Sequence, residues 1–396
     1  MFDSNINSFE CKIQTLTPVH IGSGNKYSPS EYISPKVKNK KGNIVHLIRR
    51  ITFDNYYSNL NDDKQAEFLE NISNYNFKLS DFDSKISKEY KRYDSINRTQ
   101  IKFPNEIIEH VRTLDDLYIP GSSLKGAIKT ALLYNLIDYS DFDNIERLFQ
   151  RRGGKESLPH YDNFSNTFFS SQRGGKSAQY DISKFFQVFD STSIRLSDIH
   201  AIVSVMGKKD SYDGFEYYKR NQRVVESFFE TIPNKKVLKS KISINYNSDI
   251  YENPNLKNKK LNLKDKEKLL DINNIKNCIY NFSKDLIEYE LEFLDKYSYS
   301  NNDLKDVNTK LIKYYEKFDE INSPETPIIK LGSGSGFMAM TIGIKIKKLD
   351  AELFERVRKA LRTNSYPYEF PKSRKIIKRN SMPLGWVKLN IDKFTK

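Results

Sequence analysis

The chain has 396 residues, enough for two or three ordinary domains or for one core with large insertions, and its 65 Lys and Arg against 51 Asp and Glu leave a net charge of +14. That surplus points to a polyanionic partner, nucleic acid before anionic membrane. The 25 Tyr and 25 Phe argue against intrinsic disorder, two cysteines (Cys11 and Cys278) exclude a disulfide scaffold and a Cys-based zinc site, and the absence of an apolar leader or spanning run predicts a cytoplasmic chain with no membrane partner.

Residues 9–21 read as a strand, with Phe9, Cys11 and Ile13 alternating with polar neighbours, and the strand runs into Gly22, Ser23 and Gly24. Residues 35–50 read as a hairpin and 62–72 as a short polar helix. Residues 74–99 show no clear period and read as an insertion or irregular surface. A strong helix opens after Ile119 and Pro120, with Leu124, Ile128, Leu132 and Leu136 on one face, and Ser122 or Ser123 is expected to cap it. Residues 151–176 hold two RGGK turns and read as a loop. Segments 185–189 and 199–206 read as strands. Segments 224–232 and 237–246 read as a strand pair around a turn at Pro233. Residues 262–297 and 302–321 read as two helices, ended by Pro324 and Pro327. The loop Gly332 to Gly336 is read as leading into a strand at 337–346, then a helix at 350–362, a basic stretch and a last strand at 386–391. The order predicts an α+β, ferredoxin-like core of antiparallel sheets with helical and loop insertions. A short likeness between TPVHIGSG (17–24) and TPIIKLGSG (326–334) hints at duplication.

Several motifs carry chemistry. Glycines 332, 334 and 336 can bring backbone amides against phosphates, although a flexible loop explains them equally well. They do not form a dinucleotide fingerprint, because position 337 is Phe337. The string GGKS (174–177) lacks the first glycine of a phosphate-binding P-loop, since position 170 is Ser170. Ser122, Ser123, Lys125 and Lys129 place a helix start and two lysines, opposed to nothing acidic, where a phosphate backbone could lie; an exposed lysine pair is the plainer alternative. The five histidines never fall at metal-binding spacing, so no metal or other cofactor is expected, and His20 beside a Gly turn is a candidate RNA contact or general acid/base. Acid-free clusters at 235–241 (including Lys235 and Lys236) and 372–379 (including Arg374 and Lys375) stand near Phe228, Phe229, Tyr366, Tyr368 and Phe370. Cations for phosphates and rings for bases suit single-stranded RNA.

The strings TPVHIGSG (17–24), YIPGSSLKGAIKTALL (118–133), FQVFDS (186–191) and LGSGSGF (331–337) resemble the RAMP superfamily of CRISPR proteins. The closing strings PKSR (371–374) and PLGW (383–386) are most similar to its fifth-subunit family in type III-A Csm complexes. The resemblance implies an RRM-like fold within an RNA-guided complex. It implies a capping subunit near the 3′ end of a guide RNA, packed on the repeated backbone RAMP subunit among other Csm subunits. It implies a share in guide maturation, with host nucleases, and no nuclease activity of its own. In the backbone relatives an Asp in the loop after the first strand cuts target; here that loop, 22–32, holds Glu31 and no Asp.

The expected division is an N-terminal core over 1–260, with insertions at about 52–117 and 150–180 and a thumb-like loop at 207–223 that could insert between bases. A helical hairpin over 261–323 and a C-terminal part over 324–396 follow. Two other functions stay open: a metal-independent endoribonuclease using His20, and a mainly protein-binding assembly subunit.

Overall fold

The computed structural model describes residues 6–38, 42–74, 77–83, 85–152, 155–158, 168–169, 181–207, 215–245, 267–298, 304–361 and 370–394. Most of the 151–176 loop with its second RGGK turn and GGKS string, the tip of the 207–223 loop, and Tyr366 and Tyr368 lie outside them.

The protein is α+β. A five-stranded, fully antiparallel sheet runs in the order Phe186–Val188, Val237–Asn245, Ile6–Thr15, Trp386–Lys393, Ile328–Lys330. Alternation sets its register. Phe9, Cys11 and Ile13 face inward, and Cys11 lies opposite Ser240 on one side and Ile391 on the other. The first four strands follow the ferredoxin-like order, and helix Gly121–Leu136 enters between the first two in sequence. Gly121 must be glycine, because a Cβ there would stand 2.2 Å from the Val188 carbonyl oxygen. Helix Ile272–Lys296 buries Ile275, Ile279, Phe282, Leu286 and Phe293 at helical spacing. It pairs with helix Lys305–Ile321, whose Tyr315 and Phe318 enclose the fully buried Trp386 at 6.0 and 5.1 Å between ring centroids.

A second, mixed sheet has ten strands. Its main path is Gly22–Tyr27, Ile107–His110, Ser227–Thr231, Ser197–Gly207, Lys91–Asn97, Ile44–Ile51, Tyr32–Ile33. Lys36–Lys38 pairs with the Ile44–Ile51 strand, and Phe215–Tyr217 and Ser373–Ile377 both pair with the long Ser197–Gly207 strand. Helices Phe53–Ser58, Asp62–Ile72 and Leu79–Phe82 gather around the buried Phe68, with Phe53, Phe77 and Phe82 within 5.2–5.4 Å of its ring.

Four expectations change. Residues 74–99 are not all irregular: Lys91–Asn97 is an inner strand, and so is Ile107–His110 within the expected insertion. Strands Ser227–Thr231 and Val237–Asn245 are not a pair, because the Pro233 turn carries the chain from one sheet to the other. The Gly332 loop leads into short helices, Gly336–Met340 and Gly343–Leu349, where a strand was expected; Met338, Ala339, Ile342 and Ile346 recur at helical spacing on the buried side. Residues 372–379 are not a free basic stretch, since Ser373–Ile377 is a strand whose alternate side chains are buried.

Candidate functional site

The chain leaves the first sheet after Thr15 and enters the second at Gly22. The crossing is held by a bridge between Val19 and Ile232 and by the amide of Trp386 donating to Thr17 Oγ1 at 2.9 Å. His20 sits on this crossing, 3% exposed. The Gly332 loop closes directly over it: the Ser333 amide donates to the His20 carbonyl at 2.8 Å. Gly332 has φ +68°, and a Cβ there would lie 2.2 Å from that same carbonyl oxygen. Only glycine allows this approach. Gly334 (φ +91°) lies against Leu384 and the Cβ of Lys375, and Gly336 also has positive φ.

The glycines at 22–24 begin a strand and do not form the expected turn; that strand start and the Gly332 loop, over 300 positions apart in sequence, meet at His20, and Lys375 borders them. Residues 22–26 are exposed, as are Gly332, Gly336 and Lys375. Lys375 reaches over the Phe229 ring at 5.2 Å, and His20 packs on that ring at 4.5 Å. Ser23 is less free than its exposure suggests, because its hydroxyl donates to Glu109 Oε2 at 3.1 Å, as does Asn25 Nδ2 at 3.2 Å. Exposed glycine amides and one ammonium group can hold a flexible anionic chain without reading side-chain-sized features.

His20 is poorly placed as an acid. Its Nδ1 lies 2.6 Å from the Glu230 carbonyl oxygen, which can only accept, so that nitrogen carries the proton. Burial lowers its pKa below the ordinary histidine value, and nearby Lys375 acts the same way. His110 is also neutral: its Nδ1 accepts from the Ile21 amide at 3.0 Å and its Nε2 donates to the Tyr118 carbonyl at 3.0 Å. Burial pushes His110 down to about 3. Among the described residues no group of three or more His, Cys, Asp or Glu could hold a metal ion.

Under this surface lies an ionic network that the sequence reading missed. Glu230 is fully buried and pairs with Arg112 at 2.5 Å. It also accepts from Ser95 Oγ (2.9 Å), Ser197 Oγ (3.0 Å) and the His110 amide (3.2 Å). The available signal was a single carboxylate within the apolar run 228–232.

The remaining candidates lie elsewhere. Ser122 and Ser123 do not cap their helix. The N-cap is Pro120, and Asp190 Oδ1 accepts the Gly121 amide at 2.8 Å. Lys129 is opposed to an acid after all: it pairs with Asp181 at 3.1 Å. Lys125 donates to the Ser183 carbonyl at 2.7 Å. Lys235 and Lys236 are exposed on the Pro233 turn, with Lys235 at φ +60°. Arg374 is turned inward, 8% exposed, pairing with Glu290 at 2.9 Å and lying 3.5 Å from the centroid of Phe293. It ties the Ser373–Ile377 strand to the long helix and is not available to a ligand.

A family model described as the RAMP superfamily matches residues 12–337. The chain belongs to the RAMP superfamily. The glycines at 22–24 and 332–336 and the long strand Ser197–Gly207 fall inside the matched span. The chain is similar to RAMP relatives named CRISPR system Cms protein Csm5. That of Methanocaldococcus jannaschii is 26% identical over 421 aligned residues, covering 97% of this chain and 89% of the relative. That of Enterococcus italicus is 33% identical over 148 residues, covering 31% of this chain and 42% of the relative. Two solved structures share the fold. A chain of a Csm–crRNA–target RNA ternary complex from a type III-A CRISPR–Cas system has TM-score 0.65, 20% identity and coverage of 96% of this chain and 100% of that one. Crystalline T. onnurineus Csm5 has TM-score 0.59, 19% identity and coverage of 95% and 99%.

Proposed function

We propose that this RAMP protein is a non-catalytic, guide-RNA-binding subunit of a type III-A Csm complex, placed at the guide 3′ end. There it packs on the repeated backbone subunit, and complex assembly and guide 3′ maturation depend on it, with trimming left to host nucleases. The observation that carries the reading is the convergence of the strand start at Gly22–Gly24 and the Gly332–Gly336 loop on His20, with Lys375 at their border. Support also comes from relatives named Csm5 and from the shared fold of a chain in a Csm–crRNA–target RNA complex.

The local chemistry favours binding over cleavage. RNA hydrolysis without metal needs both a proton acceptor and a proton donor. His20 has a lowered pKa and its donor nitrogen is spent on a backbone carbonyl, and neutral His110 has both ring nitrogens engaged. The test uses the purified full chain with labelled repeat RNA in EDTA. Saturable, salt-sensitive binding with no cleavage is expected. Specific cleavage abolished by His20→Ala would overturn the non-catalytic assignment.

A further inference from the structure

The loop after strand Lys91–Asn97 and the turn after strand Ser373–Ile377 enclose a cavity of about 180 Å³ at the second sheet. It is too small for one turn of helix, whose cylinder is about 10 Å across. Its apolar surfaces are Ile101, Ala201 and Ile377, and its charged groups are Arg98, Lys378 and Arg379 against Glu226.

These groups are unequal. Arg98 is held by Asp198 at 3.1 Å, and Lys378 pairs with Glu226. Arg379 is exposed and makes no ion pair among the described residues. The loop is fixed in advance: Asn97 Oδ1 accepts from the Thr99 amide (2.9 Å) and hydroxyl (2.7 Å), and Asn97 Nδ2 donates to the Ile101 carbonyl (2.9 Å). Ile101 is left 43% exposed.

Apolar surfaces, a preset polar loop and an uncommitted guanidinium suit a planar heterocycle joined to a phosphate. We propose that this cavity takes one unpaired nucleotide of the bound RNA, its base against Ile101 and Ala201 and its phosphate on Arg379. The inference rests on the RNA-binding reading and extends it to a second place. The strand Ser373–Ile377 joins the two, with Lys375 beside the Gly332 loop and Ile377 in the cavity.

The test uses the full chain, a fluorescein-labelled oligouridylate, a 4-thiouridine version for crosslinking, and UMP as the free mononucleotide. Arg379→Ala and Ile101→Asp, both at exposed side chains, are expected to weaken oligouridylate binding roughly tenfold each, with crosslinks mapping to 98–101 or 377–379. Wild-type binding with unchanged affinity in both variants and crosslinks elsewhere would overturn the cavity assignment while leaving RNA binding intact. Saturable UMP binding lost in both variants, without oligouridylate crosslinks, would overturn it in favour of a free-nucleotide site. Failure of the wild-type chain to bind RNA at all would overturn the parent reading with it.

Discussion

Glu230 shows how a charge is kept inside a strand. Its desolvation is offset by one guanidinium, two hydroxyls and an amide, and removing only the guanidinium would leave the carboxylate uncompensated. Arg112→Ala should therefore lower stability by about 3–5 kcal/mol in urea unfolding. Glu230→Gln with Arg112→Met together should cost much less than the single change, which a double-mutant comparison would show. The buried histidines predict a pH effect of definite sign. His110 is held at about 3 and His200 at about 4, both by burial, below the value of an unfolded chain. The unfolded chain takes up these protons first. Stability is thus full above about pH 6.5 and falls as pH drops toward 4, by about 1.4 kcal/mol per pH unit for each histidine. Urea midpoints measured from pH 7.5 to 4.5 should show this fall, and a flat profile would contradict it. At the Gly-loop surface, Lys375→Ala should weaken RNA binding about fivefold and reduce the salt slope by roughly 1, without changing the melting temperature.

Elements place these residues, and glycines decide how closely some of them meet. Gly207 ends the long Ser197–Gly207 strand, where an added Cβ would lie 2.1 Å from the Tyr297 ring. Gly207→Ala should displace Tyr297 and lower the melting temperature. Asp190→Ala should uncap helix Gly121–Leu136 at a cost of about 1 kcal/mol, read from urea unfolding. The sequence was most legible for local elements: helix 62–72 matches to the residue, the 121–136 helix was found from its apolar spacing, and the first strand was found from its alternation but read through to 21, where the structure ends it at Thr15 and residues 16–21 cross to the second sheet. It was least legible where burial is polar. Lys91–Asn97 hides because its inward positions include Ser95, which serves Glu230 and not an apolar core. The Asp190 cap could not be read locally, because donor and acceptor are 69 positions apart. The candidate site was legible in part for the same reason: glycines and Lys375 could be named singly, but the partners of Lys129 and Arg374 come from distant segments.

At the scale of the whole molecule, the net charge of +14 is spread unevenly in its use. Many cations are spent inside the fold, as with Arg112 on Glu230 and Arg374 on Glu290, while Lys235, Lys236, Lys375 and Arg379 remain exposed. Two sheets meet at the 15–22 crossing, and the proposed binding surface lies at that seam, so on this proposal binding and folding share the glycine contacts. Gly332→Ala should accordingly reduce both stability and RNA affinity, unlike Lys375→Ala. The most direct measurement is crosslinking of guide RNA in a reconstituted type III-A complex containing this chain, mapped by peptide. The account predicts guide nucleotides attached within 20–24, 332–336 and at Lys375; a fully assembled complex whose guide crosslinks only to other subunits would contradict it.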